Sequence, residues 1–188
     1  MGPGSRRGWA AVFTLLSAAA PSSSESAPAR RAARPSSPAA GADLSFGYSY
    51  LRAGEASLNG WLLSGSVPVR PSVRLVADLG GHYGAFAGAS LRQISLLAGA
   101  RVVGHAGRRL RPFGQALAGG SHTTSKFEAA SLSAGATAWG GALGIGTDYR
   151  VARRWALRGQ ADYLLLHSGG GWDADPRLSL GAAYHFGR

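Results

Sequence analysis

The predicted fold depends on residues 155–188, whose sequence is WALRGQADYLLLHSGGGWDADPRLSLGAAYHFGR. Two segments alternate between apolar and small or polar side chains, and a Gly-, Asp- and Pro-rich stretch joins them, which is typical of a β-hairpin. The apolar face runs from Trp155 to Leu165 in the first segment and from Leu178 to Phe186 in the second. The opposite faces are mostly small, polar or charged, so the fold depends on which face points inward.

The same two-residue period extends back to Asp43 and predicts six further strands. They cover approximately residues 43–51, 57–67, 72–84, 93–103, 110–121 and 136–149. Together with the hairpin they predict an all-β domain of eight antiparallel strands. Most of these strands exceed the ~5–6 residues usual in soluble sheets, and they suit a tilted crossing of a bilayer.

The connections between the predicted strands differ in length. Those after the second, fourth and sixth strands are short, at 68–71, 104–109 and 150–154, whereas 122–135 and 168–176 are longer. Outer-membrane barrels have short periplasmic turns and longer external loops. The pattern therefore predicts an up-and-down transmembrane β-barrel with both termini in the periplasm. The short turns are also basic and carry no carboxylate, with arginines at positions 70, 108, 109, 150, 153 and 154.

The charged strand residues indicate which face is inside. Most of them oppose the aromatic face, whereas Arg111 is an exception that shares a face with Phe113. A lipocalin-like barrel would put the charges in water and nearly all aromatics in its narrow interior. A membrane barrel reverses this, and eight strands leave just enough room for side chains to fill the lumen. We therefore predict a plugged polar lumen with an ion-pair and hydrogen-bond network of Arg74, Asp78, Arg101, Arg158 and Asp162.

Aromatic residues lie near the ends of the predicted strands. Rings with polar tips favour the headgroup level of a membrane and form girdles around outer-membrane barrels. The predicted girdle residues are Tyr50, Trp61, Tyr83 and Trp139 toward the external side, and Tyr149, Trp155, Tyr184 and Phe186 toward the periplasm.

The N-terminus has the order of regions found in a secretory signal peptide. Arg6 and Arg7 precede an apolar run over 9–20, and small residues at 27–29 (Ala-Pro-Ala) or 18–20 fit a cleavage site. The alternative is a short core helix. We assign residues 1–29 to a signal peptide, 30–41 to an Ala/Pro/Ser/Arg-rich flexible linker, and 42–188 to the barrel.

The net charge of +11 raises the possibility of nucleic-acid binding. The basic residues do not form a basic helix or a Lys/Arg run, so we predict no nucleic-acid partner. The chain has no Cys, which excludes a disulfide framework.

Several segments resemble a known family. They are LNGW (58–61), RLVADLGGHYG (74–84), RPFGQALAGG (111–120), GALGIGTDYRVARRWALRGQADYLL (141–165) and RLSLGAAYHFG (177–187). Over residues 42–188 the chain resembles the small outer-membrane barrels whose eight-stranded fold is like the barrel domain of outer membrane protein A. The resemblance implies an outer-membrane location, contact with outer-membrane lipid and assembly by the barrel-assembly machinery. The family's terminal Phe is matched only approximately, by Phe186.

Catalytic and metal-binding patterns are weak. Ser121, His122, Ser125 and Glu128 could supply a hydrolase set, but they show no motif spacing, and the five His show no metal-ligand spacing. We predict no catalytic, cofactor or metal site. The predicted function is a structural or surface-interaction role with an unidentified external partner, and the alternatives are a narrow small-solute channel and a lipid A-modifying enzyme.

Overall fold

The computed structural model describes residues 41–86, 89–105, 108–127, 132–168 and 170–187. Eight strands follow one another within these residues. They are β1 (Asp43–Ala53), β2 (Ala56–Arg70), β3 (Val73–Phe86), β4 (Ala89–Val103), β5 (Leu110–Phe127), β6 (Leu132–Arg150), β7 (Trp155–Ser168) and β8 (Gly171–His185). The predicted signal peptide and most of the predicted linker lie outside the described residues.

The eight strands form a closed barrel. Each strand pairs antiparallel with the next, and β1 pairs with β8 from Asp43↔His185 to Leu51↔Arg177. Closure leaves none of these strands as an unpaired edge. We call the end with the β2–β3, β4–β5 and β6–β7 connections the turn end, and the opposite end the loop end. The predicted all-β, eight-stranded, up-and-down barrel is confirmed.

The barrel wall separates an apolar outside from a charged inside. Outward side chains are exposed although they are large and apolar, including Ile145 (70%), Leu180 (65%) and Trp139 (61%). Inward side chains include charged residues with almost no exposure, such as Arg101 (1%) and Arg177 (0%). A water-soluble monomer rarely exposes so much contiguous apolar surface. The predicted direction of the two faces is therefore confirmed.

The two long connections predicted from the sequence are largely strand. β5 and β6 remain paired as far as Phe127↔Leu132, and β7 and β8 remain paired as far as Ser168↔Gly171. For the described residues the predictions of loops over 122–135 and 168–176 were wrong, because 122–127, 132–135, 168 and 171–176 are strand. These segments are rich in Gly, Ser, Thr and Asp. Such residues favour loops as isolated segments, but the backbone hydrogen bonds of a ladder do not depend on side-chain type. At the β1–β2 hairpin, Gly54 supports a tight connection with a φ of 58°.

Strand β5 reverses one expectation about its faces. Arg111 and Phe113 share a face as predicted, but both are buried inside the barrel. Phe113 is thus an inward aromatic residue, and Arg111 follows the rule that charges face inward. Within the described residues, no helix has the length and apolar character needed to cross a bilayer.

Candidate functional site

The interior of the barrel gathers balanced charge. Among the described residues, five arginines and five aspartates are buried. They are Arg74, Arg101, Arg111, Arg158, Arg177, Asp43, Asp78, Asp148, Asp162 and Asp175. Alternation along the strands points these side chains inward, and closure of the barrel brings distant strands within reach of one another. Equal numbers of opposite charges offset the cost of burying each one.

The first ion cluster lies toward the turn end around Arg158 and Asp43. Arg158 Nε donates to Asp148 Oδ1 at 2.7 Å, and its Nη2 lies 3.3 Å from Asp43 Oδ1. Asp43 Oδ2 is also 2.9 Å from Arg74 Nη2. Ser66 connects this pair, because its hydroxyl donates to Asp43 and accepts from Arg74 Nε, both at 2.7 Å. The cluster therefore links β1, β2, β3, β6 and β7 through side chains.

The second ion cluster is centred on the carboxylate of Asp162. Arg177 donates to Asp162 Oδ2 from Nη2 at 2.9 Å and from Nε at 3.1 Å. Gln160 donates to the same oxygen at 2.8 Å, while Gln115 donates to Oδ1 at 3.0 Å. Arg177 also lies 3.5 Å from Asp78 Oδ2. Asp162 thus accepts from three side chains, and charge-assisted bonds of this kind are among the strongest in proteins.

Arg101 joins the two clusters without an ion pair of its own in the described structure. Its guanidinium donates to Gln115 Oε1 at 2.7 and 3.0 Å and to Ser64 Oγ at 3.2 Å. It also lies 4.3 Å from the centre of the Phe113 ring, and Arg158 lies 5.3 Å from the same ring. An aromatic face attracts desolvated cations, which explains why Phe113 is placed inside.

The interior also contains an apolar layer, which we call the leucine plug. It comprises Leu51, Leu58, Leu97, Leu117, Leu164 and Leu166 together with Val76, Ala56 and Ala142. These side chains share the inward face with the charges but lie mainly toward the loop end. The expectation of a polar lumen was therefore only partly correct, since one layer of the interior is packed with hydrocarbon.

The five residues predicted to form the lumenal network all lie inside the barrel. Arg74, Arg158 and Asp162 make the ion pairs described above, Asp78 faces Arg177, and Arg101 bonds to amide and hydroxyl groups. Asp43, Asp148 and Arg177 also belong to the network and were not among the predicted residues. Asp148 could have been predicted from the sequence, because alternation places it on the face opposite the aromatic residues of its strand.

The eight predicted girdle residues all lie on outward positions of the wall. At the turn end, Trp155 packs edge-on against Tyr184 with ring centres 5.0 Å apart, and Tyr184 packs against Phe186 at 4.9 Å. At the loop end, Trp139 lies 5.3 Å from His167 and 5.5 Å from Trp172. His167 and Trp172 were not among the predicted girdle residues, because the predicted loop over 168–176 contains Trp172 and begins directly after His167.

The candidate hydrolase residues do not come together. Adjacent residues on a strand point to opposite faces, so Ser121 is buried inside whereas His122 is exposed outside. His122 Nδ1 instead lies 3.0 Å from Thr137 Oγ1. Glu128 lies outside the described residues. No group of three metal-binding side chains occurs in the described part of the chain.

A closed eight-stranded barrel with an apolar wall and a charged interior defines the class of small outer-membrane β-barrels. No protein-family model and no curated protein sequence matches this chain. The barrel is similar to that of Neisserial surface protein A, with a TM-score of 0.62 and 14% identity over 77% of this chain and 96% of that one.

Two further solved structures show the same likeness. Ail, the attachment invasion locus protein of Yersinia pestis, has a TM-score of 0.57 and 19% identity over 78% of this chain and 99% of that one. The outer membrane protein AlkL, determined in lipid bilayers, has a TM-score of 0.54 and 16% identity over 87% and 97%. At these identities the likeness shows a shared fold.

Proposed function

We propose that this chain is an integral outer-membrane β-barrel with a plugged lumen, which serves as a structural anchor or a surface-interaction protein rather than as an enzyme. The observation that carries the proposal is the filled interior, in which two ion clusters and the leucine plug occupy the space between the strands. The exposed apolar wall supports residence in a bilayer, and so does the similarity to AlkL, whose structure was determined in lipid bilayers.

The turn end is proposed to face the periplasm and the loop end to face outward. Basic residues concentrate at the turn end, whereas Glu55, Asp173 and Asp175 lie at the loop end. The extended β5–β6 hairpin is the candidate surface for an external partner. It runs to Phe127 and Leu132, and Lys126 and residues 134–137 are exposed. Assembly by the barrel-assembly machinery is the expected route into the membrane.

The leucine plug is proposed to be the barrier to ions. Hydrophobic constrictions exclude water and stop conduction by dewetting, whereas paired charges keep water in their neighbourhood. A narrow channel is the second candidate, because both carboxylate oxygens of Asp78 and Nδ1 of His82 are buried without hydrogen-bond partners in the described structure. Such atoms are usually satisfied by internal water.

Planar-bilayer conductance separates the two functions. We expect the folded wild-type chain to show no current steps, and the double variant Leu97→Ser and Leu164→Ser to conduct, because it opens the leucine plug. Leu143→Ser is the matched control. Leu143 is on the outer wall, so this substitution should leave the current at its wild-type baseline. Steady current steps from the wild-type chain would favour the channel.

A further inference from the structure

An open apolar depression lies on the outer wall near the turn end, and we call it the wall groove. It has a volume of about 910 Å³. Its floor includes the small outward residues Gly114 of β5 and Gly159 and Ala161 of β7, and the side chains of Ile145 and Leu178 lie beside them. A Cβ atom built on Gly159 meets no other atom within 4 Å, so the depression is open. Its apolar lining and open surface suit contact with a hydrocarbon chain.

A basic residue lies at the turn end of the wall groove. The groove reaches Pro112 and Thr147, which pair across β5 and β6, and the next outward pair is Leu110 and Tyr149. Arg109 directly precedes Leu110 in the chain, on the turn side of this pair, and its Nη1 donates to the Tyr149 hydroxyl at 3.5 Å. The Tyr149 ring and Arg109 together form a rim with an apolar side toward the groove and a positive charge toward water.

We infer that the wall groove and Arg109 bind one anionic glycerophospholipid, with an acyl chain along the groove and the phosphate at Arg109. The inference rests on the proposed membrane location and orientation, which put the turn end in the phospholipid leaflet. Charge complementarity favours this occupant over a second copy of the chain. Another barrel would present its own arginine-rich turn end to this basic rim.

The test is native mass spectrometry of the folded chain after equilibration with equal amounts of phosphatidylglycerol and phosphatidylethanolamine that carry the same acyl chains. We expect preferential retention of phosphatidylglycerol. Arg109→Ala should lower that retention about fivefold, the contribution of one basic residue near an anionic lipid surface. Arg52→Ala removes the same charge from the exposed loop end of β1 and should change nothing.

A second pair of variants tests the groove itself. Gly159→Leu fills the floor and should lower retention of both lipids, whereas Gly159→Ala leaves the groove open and should bind like wild type. The heat-modifiable gel shift checks that each variant is folded. Two results would overturn the lipid site: equal retention of the two lipids, or full retention of phosphatidylglycerol by Arg109→Ala. If the barrel still folds in vesicles, either result leaves the proposed membrane function intact.

Discussion

Replacing Ile145 with Arg tests the lipid-facing wall near the middle of its apolar band. On β6 the outward rings of Trp139 and Tyr149 are ten residues apart. At ~3.3 Å per residue and a tilt of ~40°, they are ~25 Å apart along the membrane normal, which equals the height of the apolar band in such barrels. Ile145 is four residues from Tyr149, so it lies ~10 Å from that girdle and close to the bilayer centre.

This position sets the magnitude of the effect. An Arg at the midplane of a membrane barrel costs ~2–4 kcal/mol, and the cost falls to ~0–1 kcal/mol near an interface. We expect Ile145→Arg to lower the free energy of unfolding by the larger amount and Tyr149→Arg by the smaller. The side chain of Ile145 is 70% exposed in the isolated barrel, so loss of internal packing contributes little to the difference.

The assay is denaturant unfolding of both variants and the parent chain in lipid vesicles, followed by Trp fluorescence. Equal penalties at positions 145 and 149 would refute the assigned depth of the wall. Folding of the parent chain as a soluble monomer in plain buffer would refute the membrane assignment altogether.

Three further predictions concern the buried ion pairs, the close contacts of glycines and the orientation of the barrel. Asp162→Ala should destabilise the barrel by ~3–5 kcal/mol in the same assay, because it leaves Arg177 buried with one distant carboxylate, whereas Asp173→Ala at the exposed loop end should stay within ~0.5 kcal/mol. Gly181→Ala should lower the free energy of unfolding by ~1–3 kcal/mol, because the added Cβ would lie 2.4 Å from the Phe46 carbonyl oxygen. Gly159→Ala should be tolerated, because a Cβ there meets no atom within 4 Å. Protease added to intact cells should cut near Lys126 and spare Arg153, and the opposite pattern would reverse the proposed orientation.

The sequence was sufficient to predict the direction of nearly every strand face. A strand alternates strictly, so a run such as Trp155 to Leu165 assigns one face without knowledge of any other strand. The same argument placed Arg158 and Asp162 inside. It gave the wrong direction for the face that Arg111 and Phe113 share at the start of β5. It also missed the outer parts of β5 and β6 as strand, because small and polar residues there give no contrast between faces although the ladder continues to Phe127↔Leu132.

The partners within the network could not be predicted in the same way. Alternation tells which side a residue faces, but the stagger between strands decides which residues meet. Arg158 and Asp43 are 115 positions apart, and their contact depends on the accumulated register of the whole barrel. Arg177 was overlooked because the preceding residues were assigned to a loop.

The leucine plug was visible in the sequence but was not recognised. Leu58, Leu97 and Leu164 occupy the faces that carry Ser64, Arg101 and Asp162, so alternation already placed them inside. Hydropathy alone does not distinguish a leucine that faces lipid from one that faces a packed lumen. The interior of an eight-stranded barrel is just wide enough to be filled by side chains, so a leucine can pack inside it as well as face lipid.

The position of Asp43 has a consequence for how the barrel assembles. It is the first residue of β1, yet its carboxylate meets Arg158 of β7 and lies beside the seam where β1 joins β8. In an intermediate that has entered the bilayer with this seam open, Asp43 keeps Arg74 and Arg158 keeps Asp148, and the 3.3 Å contact between Asp43 and Arg158 is missing. Closure of the seam therefore adds an ion pair between β1 and β7, and we expect this pair to favour the closed barrel over the inserted, open one. The first strand of the chain thus completes its ion pairing only when the seventh strand lies beside it.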